Sequence, residues 1–179
     1  WLATLYGAHK ICGEQMAAVY WQDWGVPSIG IRPAIIYGPG RDQGMSAAPT
    51  IALMAAEAGE AYTIPFTGDV GFVYVEDAAE GVVRATEVLD EPVPVNLGTN
   101  MEITIKDLVE LIVKLTNFQG EICWDSTKPD GQPRRCLDVS RAAERLDWQA
   151  QVGFEDGLRR TIAWYEEHRD AVVSGGGRA

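Results

Sequence analysis

Tyr6-Gly7-Ala8-His9-Lys10 opens a stretch of helical composition that stops at Trp24-Gly25. After Pro27 comes Ser28-Ile29-Gly30-Ile31-Arg32-Pro33-Ala34-Ile35-Ile36-Tyr37-Gly38-Pro39-Gly40. A helix, a β-branched run and a Gly/Pro turn in that order read as one unit of an alternating α/β chain. Within the helix the four-residue spacing places Tyr6 and Lys10 on one face. A phenol titrates near ~10 in water, so it moves protons poorly at neutral pH unless a cation beside it favours the phenolate. The pair therefore has the composition of an acid/base device. A packed aromatic next to a solvated lysine satisfies the same spacing.

Outward from this unit, periodicity and turn residues predict helices over 6–24, 46–58, 75–89, 104–116 and 140–146, and a last amphipathic helix carrying Leu158, Ile162, Trp164 and Tyr165. Thr104 and Ser140 are the predicted caps, and Leu108, Leu111, Ile112 and Leu115 the inward stripe of the helix after Thr104. Strands are predicted over 28–31, 62–64, 70–74, 92–97 and 121–124, with Pro33 and Pro39 bounding an exposed turn. Residues 174–179, Ser-Gly-Gly-Gly-Arg-Ala, read as a flexible tail. No internal repeat is evident.

Composition narrows the function. The 179 residues are 46% hydrophobic and carry a net charge of −11, enough apolar material for one sizeable core and the wrong sign for nucleic acid or an anionic membrane surface. No apolar run nears the ~20 residues of a membrane span, so a soluble, cytoplasmic protein is expected. Cys12, Cys123 and Cys136 are odd in number and widely spaced, which suits reduced thiols. Cys12 reads as a small buried hydrophobe. With His9 and His168 the only histidines, no metal site is expected. Gly38-Pro39-Gly40-Arg41-Asp42-Gln43-Gly44 superficially matches a phosphate loop, but Pro39 has no N–H to offer and the glycine spacing departs from G-x-G-x-x-G. It is read as a substrate-side loop.

Tyr-x-x-x-Lys, Arg32-Pro33-Ala34-Ile35-Ile36-Tyr37-Gly38-Pro39, Gly68-Asp69-Val70-Gly71-Phe72-Val73-Tyr74-Val75-Glu76-Asp77 and the Lys128-Pro129-Asp130-Gly131 tail, in this order, resemble the extended short-chain dehydrogenase/reductase family of NAD-dependent epimerases and dehydratases. The stretch from Ser126 to Arg135, with Leu137 to Arg141, Gly157-Leu158-Arg159 and Trp164, is similar to the tail of that family's GDP-fucose synthase branch. The resemblance covers nearly the whole chain. It implies an α/β fold: the C-terminal part of a doubly wound, Rossmann-like parallel sheet plus a small α/β substrate domain, without the N-terminal glycine-rich βαβ unit. Residues 1–45 and 67–98 would be mainly Rossmann-side, 46–66 and 99–173 mainly substrate-side.

By the same resemblance, Tyr6 is the acid/base on a sugar hydroxyl or ketone and Lys10 holds the nicotinamide ribose of NAD or NADP. Pro33, Ala34, Ile35 and Ile36 line the nicotinamide carboxamide. Tyr37, Arg41, Lys128, Arg134 and Arg135 are the candidate substrate contacts. The family's Ser or Thr that polarises the reacting oxygen lies well upstream of the tyrosine, and Thr4 is too close to replace it. Two departures stand out: Ile35 occupies the place of a diphosphate-binding asparagine, and Val70 that of an arginine. Either the substrate is not a nucleotide sugar, or Arg41, Lys128, Arg134 and Arg135 provide the charge. The GDP-fucose synthase branch also uses a cysteine and a histidine for epimerisation, and neither has a match here. The expected function is an NAD(P)-dependent epimerase, dehydratase or reductase of a small-molecule sugar, probable partners being a nucleotide sugar and, through Met16, Tyr20 and Trp24, a second copy of the chain. The alternatives are a dehydrogenase of a free polyol or sugar acid, and a non-catalytic binding module.

Overall fold

Residues 31–37 form one extended run that changes partners half-way along. In the computed structural model, which describes residues 4–41, 48–64, 68–125 and 134–168, β1 (Ile31–Pro33) pairs in parallel with β6 (Val95–Leu97). Three residues later β2 (Ile35–Tyr37) pairs in parallel with β5 (Phe72–Tyr74). The exchange happens at Ala34, whose N–H donates to the Leu97 carbonyl at 2.7 Å while the Ile35 N–H donates to the Gly71 carbonyl at 3.3 Å. Position 98 must be glycine-sized there, since a Cβ would approach that of Ala34 to 3.1 Å.

Parallel pairs require crossovers, and helices make them. α1 (Leu5–Trp24) precedes β1, and α2 (Ala48–Ala58) follows β2. α3 (Val75–Val88) leaves β5 directly and returns the chain to β6. Its first turn carries Glu76 and Asp77, matched to the positive end of the helix dipole. α4 (Ile105–Thr116) starts where the Thr104 hydroxyl accepts the Asp107 N–H at 2.9 Å. α5 (Ser140–Leu146) packs on α3 and β6, and α6 (Phe154–Glu167) on α2, α4 and β5. Short strands complete the outer part: β3 (Thr63–Ile64) lies parallel to β8 (Cys123–Trp124), and β4 (Asp69–Val70) sits between antiparallel β7 (Ile103–Thr104) and parallel β9 (Arg134–Arg135).

Strand alternation divides the interior into two cores. Phe72 and Tyr74 point into the larger one with Tyr37, Leu53, Leu108, Ile112 and Leu158. Val73, between them, points into the other with Val95, Leu97, Ala85, Leu146 and Trp148. Val73 and Leu97 are 0% exposed, and burying a side chain of that size contributes about 1.5–3 kcal/mol. Ala142, Leu146 and Trp148 join the second core although the sequence reading placed them on the substrate side.

Several expectations need correction. The exposed turn between Pro33 and Pro39 is instead the buried end of a strand, with Tyr37 3% exposed. The first strand begins at Ile31 rather than Ser28, because its partner β6 begins only at Val95. The predicted 70–74 strand is broken at Gly71, whose N–H donates to the Arg135 carbonyl at 2.8 Å, so its two pieces serve different sheets. Ser140 lies inside α5, and the Asp138 carboxylate, not the serine, accepts the first free N–H. In α4 the buried set is Ile105, Leu108, Val109 and Ile112, with Leu111 and Leu115 only half-buried. Cys12 is exposed, as are Cys123 and Cys136, and all three are free thiols. Among the described residues no helix is long and apolar enough to cross a membrane, and no cluster of His, Cys, Asp and Glu could hold a metal ion.

Candidate active site

α1 is a well-formed helix that contributes nothing to either core. The Thr4 hydroxyl caps it by accepting the Gly7 N–H at 3.1 Å. Gly25 ends it in the left-handed region at φ 63°, its N–H returning to the Trp21 carbonyl at 2.9 Å. None of its residues is buried. The half-buried side is lined by Gly7, Ala8, Glu14, Ala17 and Ala18, small residues plus one carboxylate. Tyr6 is 73% exposed, and the Lys10 ammonium lies over its ring, 5.4 Å from the centroid. The two side chains thus converge, with the cation on the ring face.

Glu14 stands one further turn along the same stripe. Its carboxylate takes a two-pronged hydrogen bond from Arg32: Nε reaches Oε1 at 2.6 Å, and the terminal nitrogen reaches Oε2. These bonds hold the Glu14 carboxyl below the ordinary carboxylate range, against a smaller opposing effect of burial. Arg32 leads directly into Pro33, Ala34, Ile35 and Ile36. Pro33 is exposed and the next three are half-buried, so this stretch runs from the surface under α1 into the sheet.

The substrate candidates fall in two places. Tyr37 sits inside, its ring edge-on to Phe72, Tyr74 and Phe154. Its hydroxyl donates to the Phe154 carbonyl at 3.2 Å, and a methyl group at Gly157 would overlap that hydroxyl. Burial, then Tyr74 and Asp77, pushes this phenol well above its ordinary range. It forms the inner wall of a cleft of about 280 Å³ shared with Thr99, Asn100, Gln151 and Phe154. The buried Asp77 carboxylate holds one rim of that cleft by accepting the Gln151 and Val152 N–H groups at 3.1 and 3.0 Å.

Arg134 and Arg135 are exposed on β9, in register with Asp69 and Val70. Arg134 is engaged by Glu102, with Nε 2.8 Å from Oε1. The Cys136 thiol and Arg134 together hold the Glu102 carboxyl below its usual range, and that carboxylate pushes the thiol upward. Arg135 lies beside Val70. Arg41 closes a turn with its N–H on the Gly38 carbonyl at 3.1 Å. Lys128 lies outside the described residues.

A helix bearing Tyr-x-x-x-Lys, tied to a parallel strand that begins Arg-Pro, is matched by the family model described as the NAD dependent epimerase/dehydratase family over residues 2–98. The chain belongs to this family. Over 172 residues it is 32% identical to a probable GDP-L-fucose synthase 1 of Oryza sativa subsp. japonica, covering 91% of this chain and 52% of that protein. It is 29% identical over 184 residues to the GDP-L-fucose synthase of Escherichia coli (strain K12), covering 92% and 57%. Among solved structures, a UDP-glucose 4-epimerase of Thermotoga maritima with UDP-glucose superimposes with a TM-score of 0.81 at 26% identity, over 92% of this chain and 54% of that one. The chain spans about half the length of the curated relatives it matches. Its parallel pairs and crossover helices are those of the C-terminal portion of the Rossmann-fold epimerases.

Within this epimerase/dehydratase chain, residues that the sequence reading did not single out for the site are Glu14 and Asp77. Glu14 had a signal: it continues the Tyr6, Lys10 spacing by four more residues. Asp77 had none, because its partners lie more than seventy positions away.

Proposed function

We propose that the protein is an NAD(P)-dependent epimerase, dehydratase or reductase of a nucleotide sugar, with Tyr6 as its acid/base. The observation that carries this reading is the convergence of an exposed phenol and a lysine ammonium on a helix fastened to the strand entering Pro33–Ile36. The donor set fits a dinucleotide's ribose and nicotinamide. Lys10 offers an ammonium and Tyr6 a hydroxyl, and the half-buried Ala34, Ile35 and Ile36 offer a flat apolar wall. When bound, the nicotinamide supplies the hydride acceptor or donor for a sugar carbon. Tyr6 takes the proton from that carbon's hydroxyl, or returns it to the ketone oxygen. Lys10 holds the ribose and favours the phenolate.

For the substrate, Arg135 beside Val70 places a cation next to the position where the family pattern has its arginine, and Arg41 adds a second. Relatives named for GDP- and UDP-linked sugars support this choice. A free polyol or sugar acid is the second reading, favoured by the buried, apolar Val70 and the isoleucine at position 35. The exposed Met16, Tyr20 and Trp24 on α1 form the face on which a second copy would seat.

The deciding experiment is Tyr6→Phe in the intact protein, with turnover and NAD(P)H affinity measured together. Loss of turnover with affinity retained supports the acid/base assignment. Turnover at the wild-type rate removes it. Competition between nucleotide sugars and free sugar acids on the same protein separates the two substrate readings.

A further inference from the structure

We propose that Glu14 and Arg32 are positioning residues: their two-pronged bond fixes the distance and the rotation of the Tyr6–Lys10 helix relative to the Pro33–Ile36 strand. The inference rests on the proposed role of Tyr6 and goes beyond it by naming what holds that group in place.

Geometry is the reason. α1 is 20 residues long, buries no side chain, and joins β1 through Gly25 at its far end. Tyr6 therefore sits about 28 Å along the axis from that junction, so a tilt of about 5° there moves the phenol by about 2.5 Å. Proton transfer demands far better, since a misplacement of about 1 Å can cost on the order of 100-fold in rate. Packing does not provide the restraint, because the side facing the body is Gly7, Ala8, Ala17 and Ala18, which have little side chain to interlock. Among the described residues, the side chains of α1 make one ion pair to the rest of the chain, Glu14 to Arg32. It lies about 12 Å from Tyr6 along the axis, nearer the phenol than the covalent junction.

The chemistry of the pair suits the task. A guanidinium and a carboxylate joined by two near-parallel bonds define a plane as well as a distance, so the helix is restrained against rolling as well as against lifting. A lysine in place of Arg32 would keep the charge and lose the plane. The two ends of the bond also belong to the two halves of the site. Glu14 shares the stripe of Tyr6 and Lys10, and Arg32 immediately precedes Pro33. One contact thereby sets the phenol and the nicotinamide-lining strand against each other.

The test uses Glu14→Gln, Arg32→Lys and the charge-swapped double variant Glu14→Arg with Arg32→Glu in the intact protein. Each is compared with Tyr6→Phe, well below the melting temperature. Two quantities are read: hydrogen–deuterium exchange of residues 5–24, and kcat with KM. Each single variant is expected to speed exchange in α1 with exchange in α4 unchanged, and to lower kcat by on the order of 10- to 100-fold with KM nearly constant. The swap is expected to recover most of both. Unchanged exchange in the single variants overturns the tether, whatever Tyr6 does. Faster exchange with unaltered kcat, in a protein that Tyr6→Phe inactivates, overturns the positioning role. Turnover surviving in Tyr6→Phe points instead at the acid/base assignment, and the exchange data then still decide the tether.

Discussion

α1 and α4 are both regular, well-capped helices, yet they do opposite work. α4 buries Ile105, Leu108, Val109 and Ile112 in 12 residues and is fastened by packing. α1 buries nothing in 20 and is fastened by one ion pair and a glycine junction. The contrast separates the part of the molecule that stores stability from the part that presents chemistry. A phenol and an ammonium that must meet solvent-borne ligands cannot sit on a helix that spends its polar face on water and its apolar face on the core.

The largest effect that could break this division is at Tyr6. Tyr6→Phe should lower turnover of the intact protein by about 10²–10⁴-fold, with a melting temperature unchanged within experimental scatter. A large drop in melting temperature would mean that α1 is part of the stability store after all. Next comes the mirror experiment on the core. Leu97→Ala, at a site with 0% exposure, should cost about 2–5 kcal/mol in denaturant unfolding, while Leu5→Ala at 80% exposure should cost almost nothing. Equal costs would erase the distinction.

A smaller effect sharpens the substrate side. Arg135→Ala should raise KM for a nucleotide sugar by about 10-fold, the scale of one charge-assisted hydrogen bond, and leave a free sugar acid unaffected. The smallest is a pH effect on the tether. Because Arg32 lowers the Glu14 carboxyl in the folded state, the tether's contribution is complete above the ordinary carboxylate value of ~4.3 and is lost as pH falls through the lower, folded value. Exchange in residues 5–24 should therefore accelerate on acidification through that window, and the Glu14→Gln protein should lack this dependence. With the Arg32 side chain 46% exposed, the stabilisation is modest.

Much of this was legible from residues alone, and the exceptions share a cause. Thr104 announced its cap because a hydroxyl three residues before an N–H donor is a local matter, and the buried stripe of α4 follows from helical period with only its outer members misjudged. The family and the Tyr6–Lys10 convergence were likewise written in short spacings. Partner exchange at Ala34, the break at Gly71 and the neighbouring of Arg135 with Val70 were not, since each is decided by a strand far away in sequence. Tyr37 shows the cost: its flanking prolines suggested a surface turn, and only the register against β5 reveals an interior ring. Cys12 failed for a different reason. A small apolar residue in a helix predicts burial only if the helix itself is covered.

β5 gives Phe72 and Tyr74 to one hydrophobic mass and Val73 to the other. Neither mass can therefore come apart alone, since peeling that short segment away empties a place in both. The body of the molecule should melt in one concerted step, with α1 free to fray ahead of it.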